Sequence, residues 1–171
     1  MSCAERMDSD ERSVSIDRMR YTKNRFSSNM ALAAILFNVF YFVSIYRSDV
    51  GSYYYNIVVG GSIIYNLVFM LAVFLSSEGV KAYSERFCIL LGVVGVLQFA
   101  RIFVIPLPAS KAVVSIAKQQ VPAMETAQFV RCVVYLCASG VCCIAGSVVG
   151  LLRSRTLKAY MATLGNEGRR D

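Results

Sequence analysis

Four apolar runs, Met30–Tyr46, Tyr53–Leu75, Phe87–Leu107 and Phe129–Leu152, alternate with short polar segments along the chain. They are 17, 23, 21 and 24 residues long, and a helix needs about 20 apolar residues to cross a hydrocarbon core of about 30 Å. Inside such a core no water is available to backbone N–H and C=O groups, so each run has to satisfy them internally as a helix. The pattern predicts an all-α integral membrane protein with a four-helix transmembrane bundle. Arg47-Ser48-Asp49, not a small-residue cleavage site, follows the first run, so that run is expected to remain as a span.

The polar segments predict how the spans are joined. Residues 1–28 form an N-terminal arm, and its first twelve residues are so charged that disorder is expected. Ser13 or Ser15 is placed to cap a short helix carrying Ile16 and Met19. Arg47–Ser52 is a tight turn with Gly51, and Ser76–Glu85 is a second connection, in which Lys81 and Glu85 have the spacing of a helical ion pair. Between Pro108 and Gln128, the positions of Val113, Val114, Ala117 and Val121 predict a short interfacial helix over Ala109–Val121. Pro106 and Pro108 would precede it and Pro122 would close it. The spans and their connections make one domain over residues 29–152, and a basic tail over 153–171 carries Leu157, Met161 and Leu164 on one helical face.

Charge then orients the bundle. The chain of 171 residues carries a net charge of +7, which in a membrane protein reads as topology, not as nucleic-acid binding. Arg18, Arg20, Lys23, Arg25, Lys81, Arg86, Arg153, Arg155 and Lys158 fall on one side, against Arg47, Lys111 and Lys118 on the other. A bias of nine to three predicts a multi-pass protein of the cell membrane with both termini cytoplasmic. Tyr46, Tyr53, Tyr54 and Tyr55 would mark the outer water boundary.

Candidate chemistry is sparse. There is no histidine, no carboxylate inside a span and no C-x-x-C pair, so the usual general base, proton relay and dithiol are all missing. No catalytic residue, metal ligand or cofactor is predicted. Cys88, Cys132, Cys137, Cys142 and Cys143 lie inside spans, where they read as small packing residues.

Depth singles out a polar layer. At about 1.5 Å per residue, Asn38 lies about 12 Å from Met30, Asn66 about 14 Å from Leu75 and Gln98 about 16 Å from Phe87. Three amides near one midplane layer should face inward and bond one another. Arg101 lies about 21 Å into the third run, and Arg131 lies near the outer end of the fourth. Gln98 stands three residues before Arg101 and Gln128 three before Arg131. With Glu125 nearby, these residues suggest one outer anion or lipid-headgroup site, with anionic lipid as an expected partner; snorkelling of both arginines to headgroups is the alternative. On the fourth span Ala138, Cys142, Gly146 and Gly150 recur every four residues and predict a close packing or oligomer face. Gly60, Gly61, Gly92 and Gly95 suggest similar contacts.

Two functions fit. One is a non-enzymatic accessory subunit or scaffold of a membrane complex, with the lipid bilayer and other subunits or copies of itself as partners. The other is a small transporter or channel subunit that uses a polar column of Asn38, Asn66, Gln98 and Arg101.

Overall fold

A computed structural model describes residues 13–19, 21–45, 53–111, 113–116, 119–122 and 124–167. Four long helices dominate it: α1 (Arg25–Ile45), α2 (Tyr53–Lys81), α3 (Glu85–Val104) and α5 (Thr126–Glu167). Each contains a stretch long and apolar enough to be a candidate membrane span. A helical segment at residues 13–19 precedes them, in the region where a short capped helix was expected.

α5 packs along both α1 and α3, and α2 packs against the same two helices from across the bundle. The side chains facing out are apolar as well: Ile64, Val68, Leu71, Phe103, Val104 and Leu152 are all exposed. This is the surface expected of a bundle whose surroundings are also apolar.

Contact with α5 depends on small residues. A Cβ at Gly95 of α3 would lie 2.9 Å from Cys143 Cβ and 3.2 Å from the Gly140 carbonyl oxygen of α5. One at Gly146 would meet Met30 Cβ and the Ser27 oxygen of α1, both at 3.2 Å. The buried face of α5 runs through Leu136, Ser139, Cys143, Gly146, Ser147, Gly150 and Ser154, whereas Ala138 and Cys142 at its edge are half-buried. Gly60 and Gly61 differ from these glycines, since a Cβ on either would meet nothing within 4 Å.

Two connections depart from the sequence reading. The third helix stops at Val104, where the Ile105 N–H donates to the Arg101 carbonyl at 3.1 Å. A six-residue helix, α4 (Pro106–Lys111), follows, and then strands β1 (Val113–Ile116) and β2 (Gln119–Pro122) pair antiparallel with Val113 opposite Pro122 and Ile116 opposite Gln119. The expected interfacial helix over Ala109–Val121 is therefore replaced by a short helix and a hairpin. Val113, Val114, Ile116 and Val121 are β-branched, and such side chains fit a pleated strand better than a helix.

The Lys81–Glu85 ion pair does not form either. α2 ends at Lys81, and Tyr83 takes a positive φ of 56°, so the two residues do not share a helix. Lys81 pairs with Glu78, and Glu85 pairs with Lys158 of α5 at 2.7 Å. α5 itself is one continuous helix of 42 residues, about 63 Å at the usual rise. It runs past the bundle, where Met161 and Leu164 are exposed. The tyrosine cluster at Tyr46, Tyr53, Tyr54 and Tyr55 lies outside the residues whose side chains are described.

Space around the glycines yields a stability prediction. Gly146→Leu should lower stability by about 1–3 kcal/mol through overpacking, while Gly60→Leu and Val148→Leu should change it little. Thermal unfolding in detergent reads the difference, and equal losses in all three variants would contradict this account of the α5 face.

Candidate functional site

The polar layer converges on Arg101, which α3 projects from its last turn into the space between α1 and α2. The side chain is only 3 % exposed. Its Nη1 donates to Asn66 Oδ1 at 2.7 Å and to Asn38 Oδ1 at 3.3 Å, and its Nη2 donates to Ser62 Oγ at 2.8 Å. The guanidinium carbon lies 4.4 Å from the centre of the Tyr41 ring and 4.6 Å from that of Tyr65. Two aromatic faces at this distance attract a cation electrostatically. Arg101 thus joins three helices through neutral oxygens and π systems. It does not snorkel.

Gln98, one turn earlier on the same face, extends the network to α5. Its Nε2 donates to Asn38 Oδ1 at 3.1 Å and to Ser139 Oγ at 3.3 Å, and Ser139 Oγ donates to the Ala34 carbonyl at 2.9 Å. Asn38, Asn66 and Gln98 are all buried. Asn38 bonds Gln98 directly, whereas among the described residues Asn66 is linked to them through Arg101. Among the described residues, Asn38 Nδ2, Asn66 Nδ2 and Gln98 Oε1 have no hydrogen-bond partner. Leaving a buried polar atom unpaired costs about 1–3 kcal/mol; both asparagine oxygens accept from the guanidinium, and that of Asn38 also accepts from Gln98.

Cavities flank this hub. One of about 430 Å³ lies between α2 and α3 and is lined by Gly61, Ser62, Tyr65, Leu97 and Arg101, among others. Another, of about 190 Å³ between α1 and α2, is lined by Asn38, Phe42, Asn66 and Met70, among others. Gly61 thus opens a groove beside Arg101 and makes no close helix contact there.

The structure does not bring Arg101 and Arg131 together. Arg131 is exposed, and its Nε donates to the Ala127 carbonyl at 3.2 Å. With Glu125 and Gln128 it lines a separate cavity of about 370 Å³ between α1 and α5. Gln128 Nε2 donates to the Ser44 carbonyl at 2.7 Å there. The residues expected to form one site therefore fall into two groups, Gln98 with Arg101 and Gln128 with Glu125 and Arg131.

A third polar cluster joins the opposite ends of the helices. Arg153 Nη1 donates to Asn24 Oδ1 at 3.0 Å, Asn24 Nδ2 donates to Ser27 Oγ at 3.0 Å, and the Ser28 and Ser77 hydroxyls bond at 2.7 Å. Among the described residues no group of three His, Cys, Asp or Glu side chains is arranged to hold a metal. Compared with known proteins, the chain matches no family model, no curated protein and no solved structure. Sequence reasoning missed Ser62, Ser139, Tyr41 and Tyr65, because serines and tyrosines within an apolar run carry no periodic signal of their own.

Asn38→Leu and Asn66→Leu should each cost about 1–3 kcal/mol, since each removes an acceptor for a buried cation. Their effects should be non-additive through the shared guanidinium. A double-mutant cycle repeated with Arg101→Leu should show that coupling disappear. Coupling that persists without Arg101 would mean that the two amides interact by another route.

Proposed function

We propose that this chain is a non-enzymatic, multi-pass protein of the cell membrane that acts by binding, as an accessory subunit or scaffold of a membrane complex. The observation that carries the reading is the bonding of the polar layer across helices within a single chain. Asn38, Asn66, Gln98 and Arg101 are buried and bonded to one another or to neighbouring helices. A column engaged in this way fastens helices together and leaves the outward apolar faces for lipid or neighbouring subunits.

The basic residues support an orientation with both termini cytoplasmic. Lys81, Arg153 and Lys158 lie at the end of the bundle where α2 finishes and α5 extends outward. Their side would face the anionic cytoplasmic leaflet. The hairpin and the Glu125 end would face outside.

A second reading, a small transporter or channel subunit, has one observation in its favour. Cavities of about 430 and 190 Å³ lie on two sides of the hub, one lined by Arg101 and the other by Asn38 and Asn66. Displacing the Arg101 side chain would be the step needed to join them.

Orientation is tested with single cysteines in a background lacking the native ones. Thr126→Cys should react with a membrane-impermeant thiol reagent added outside intact cells, and Arg155→Cys should react only after permeabilisation. The opposite pattern would invert the topology.

Function is tested by mild-detergent extraction from native membranes together with flux measurements on the purified chain. A particle of fixed stoichiometry, larger than the 18.9-kDa chain, and proteoliposomes with no solute flux above protein-free vesicles are the expected results. Flux that Arg101→Lys abolishes would establish the transporter reading in its place.

A further inference from the structure

The outer cavity carries chemistry that the hub does not need. Glu125 and Arg131 line the same space of about 370 Å³, yet they form no ion pair with each other among the described ones. Arg131 Nε is committed to the Ala127 carbonyl at 3.2 Å, and no bond is formed by its two Nη groups among the described residues. Gln128 is held against Ser44 by its bond of 2.7 Å, which keeps this wall in place. The Phe40 and Tyr135 rings, 5.8 Å apart and tilted by 45°, add aromatic surface to the same cavity.

An acid and a base that face one cavity without pairing match a ligand carrying both charges. A simple anion would gain Arg131 but be repelled by Glu125. A simple cation would meet the reverse. Aromatic rings favour an alkylated ammonium in particular, and a guanidinium fork matches phosphate. The volume lies within the range of about 300–1,000 Å³ usual for small-molecule sites. Under the membrane reading, on which this inference rests, the cavity sits at the outer end of the bundle, at headgroup level.

We infer that this cavity binds a phosphate–ammonium zwitterion, the headgroup of a phosphatidylcholine-type lipid, with phosphate on Arg131 and ammonium between Glu125 and the Phe40–Tyr135 pair. The same chemistry could be presented by a free phosphocholine in water, so the experiment separates the two sources.

Protein reconstituted into nanodiscs of mixed phosphatidylcholine and phosphatidylglycerol is partly delipidated, and the retained lipids are quantified by mass spectrometry. Wild type should retain phosphatidylcholine preferentially. Arg131→Gln and Glu125→Gln should each lower that retention about two- to fivefold, the size of one exposed charge or cation–π contact. Both positions are exposed, so neither substitution disturbs the bundle, and Lys158→Gln at the far end serves as control.

Glu125→Gln decides between the two kinds of headgroup. It should weaken phosphatidylcholine retention, whereas at an anion site it would strengthen phosphatidylglycerol retention and leave phosphatidylcholine unchanged. That second pattern, or no lipid preference in wild type, overturns the inference. Free phosphocholine that displaces the retained lipid assigns the site to the headgroup alone, and failure to displace it assigns the tethered lipid. Loss of the chain from vesicles during an alkaline wash would instead refute the membrane reading beneath it.

Discussion

A buried guanidinium imposes the strongest constraint on this bundle. Burying the Arg101 side chain is tolerable only if its N–H donors and its charge are met nearby. Asn38 on α1, together with Ser62 and Asn66 on α2, supplies oxygens, while Tyr41 and Tyr65 supply ring faces. Moving any one of these helices away would leave a cation or its acceptors without partners. The arrangement therefore specifies how α2 docks as well as stabilising it.

Close packing adds to polar bonds between the other helices. α1, α3 and α5 approach closely because Gly95, Gly140, Gly146 and Gly150 leave room for neighbouring atoms, so dispersion acts over many short contacts. α2 carries Gly60 and Gly61, which touch nothing that a Cβ would displace, and it borders both cavities around the hub. Its Phe69, Val73 and Val80 nevertheless join the core and Gly79 packs against Phe87, while polar contacts, Arg101 near one end and the Ser28–Ser77 hydroxyl pair near the other, add directional bonds. Directional bonds of this kind have one good geometry, whereas a greasy interface tolerates sliding. The bundle thus combines close packing at small residues with directional bonds that fix how α2 sits.

Depth was legible in the sequence and rotation was not. Counting residues from the ends of the apolar runs identified Asn38, Asn66, Gln98 and Arg101 as one layer, and the structure joins them. The same counting put Arg101 and Arg131 at similar levels, yet they occupy different cavities. Helices that are apolar all round have no hydrophobic face to fix which side turns inward. Position along the axis is then readable while azimuth is not. The hairpin was missed for a related reason: in a short segment Val113, Val114 and Val121 fit a helical wheel, but strand pairing satisfies their backbone and suits their branched side chains. Buried positions such as Ser62 and Ser139 carry no mark in the sequence, because only their bonds to Arg101 and Gln98 distinguish them.

If Arg101 is what docks α2, its loss should loosen that helix and spare the others. Spin labels on exposed positions, Ile64→Cys on α2 paired with Val141→Cys on α5, and Val43→Cys on α1 with the same partner, report the two separations by pulsed dipolar spectroscopy. With the native cysteines replaced, Arg101→Leu should broaden the α2–α5 distance distribution and leave the α1–α5 distribution narrow. Two unchanged distributions, or equal broadening of both, would contradict the view that one buried guanidinium holds α2 in place.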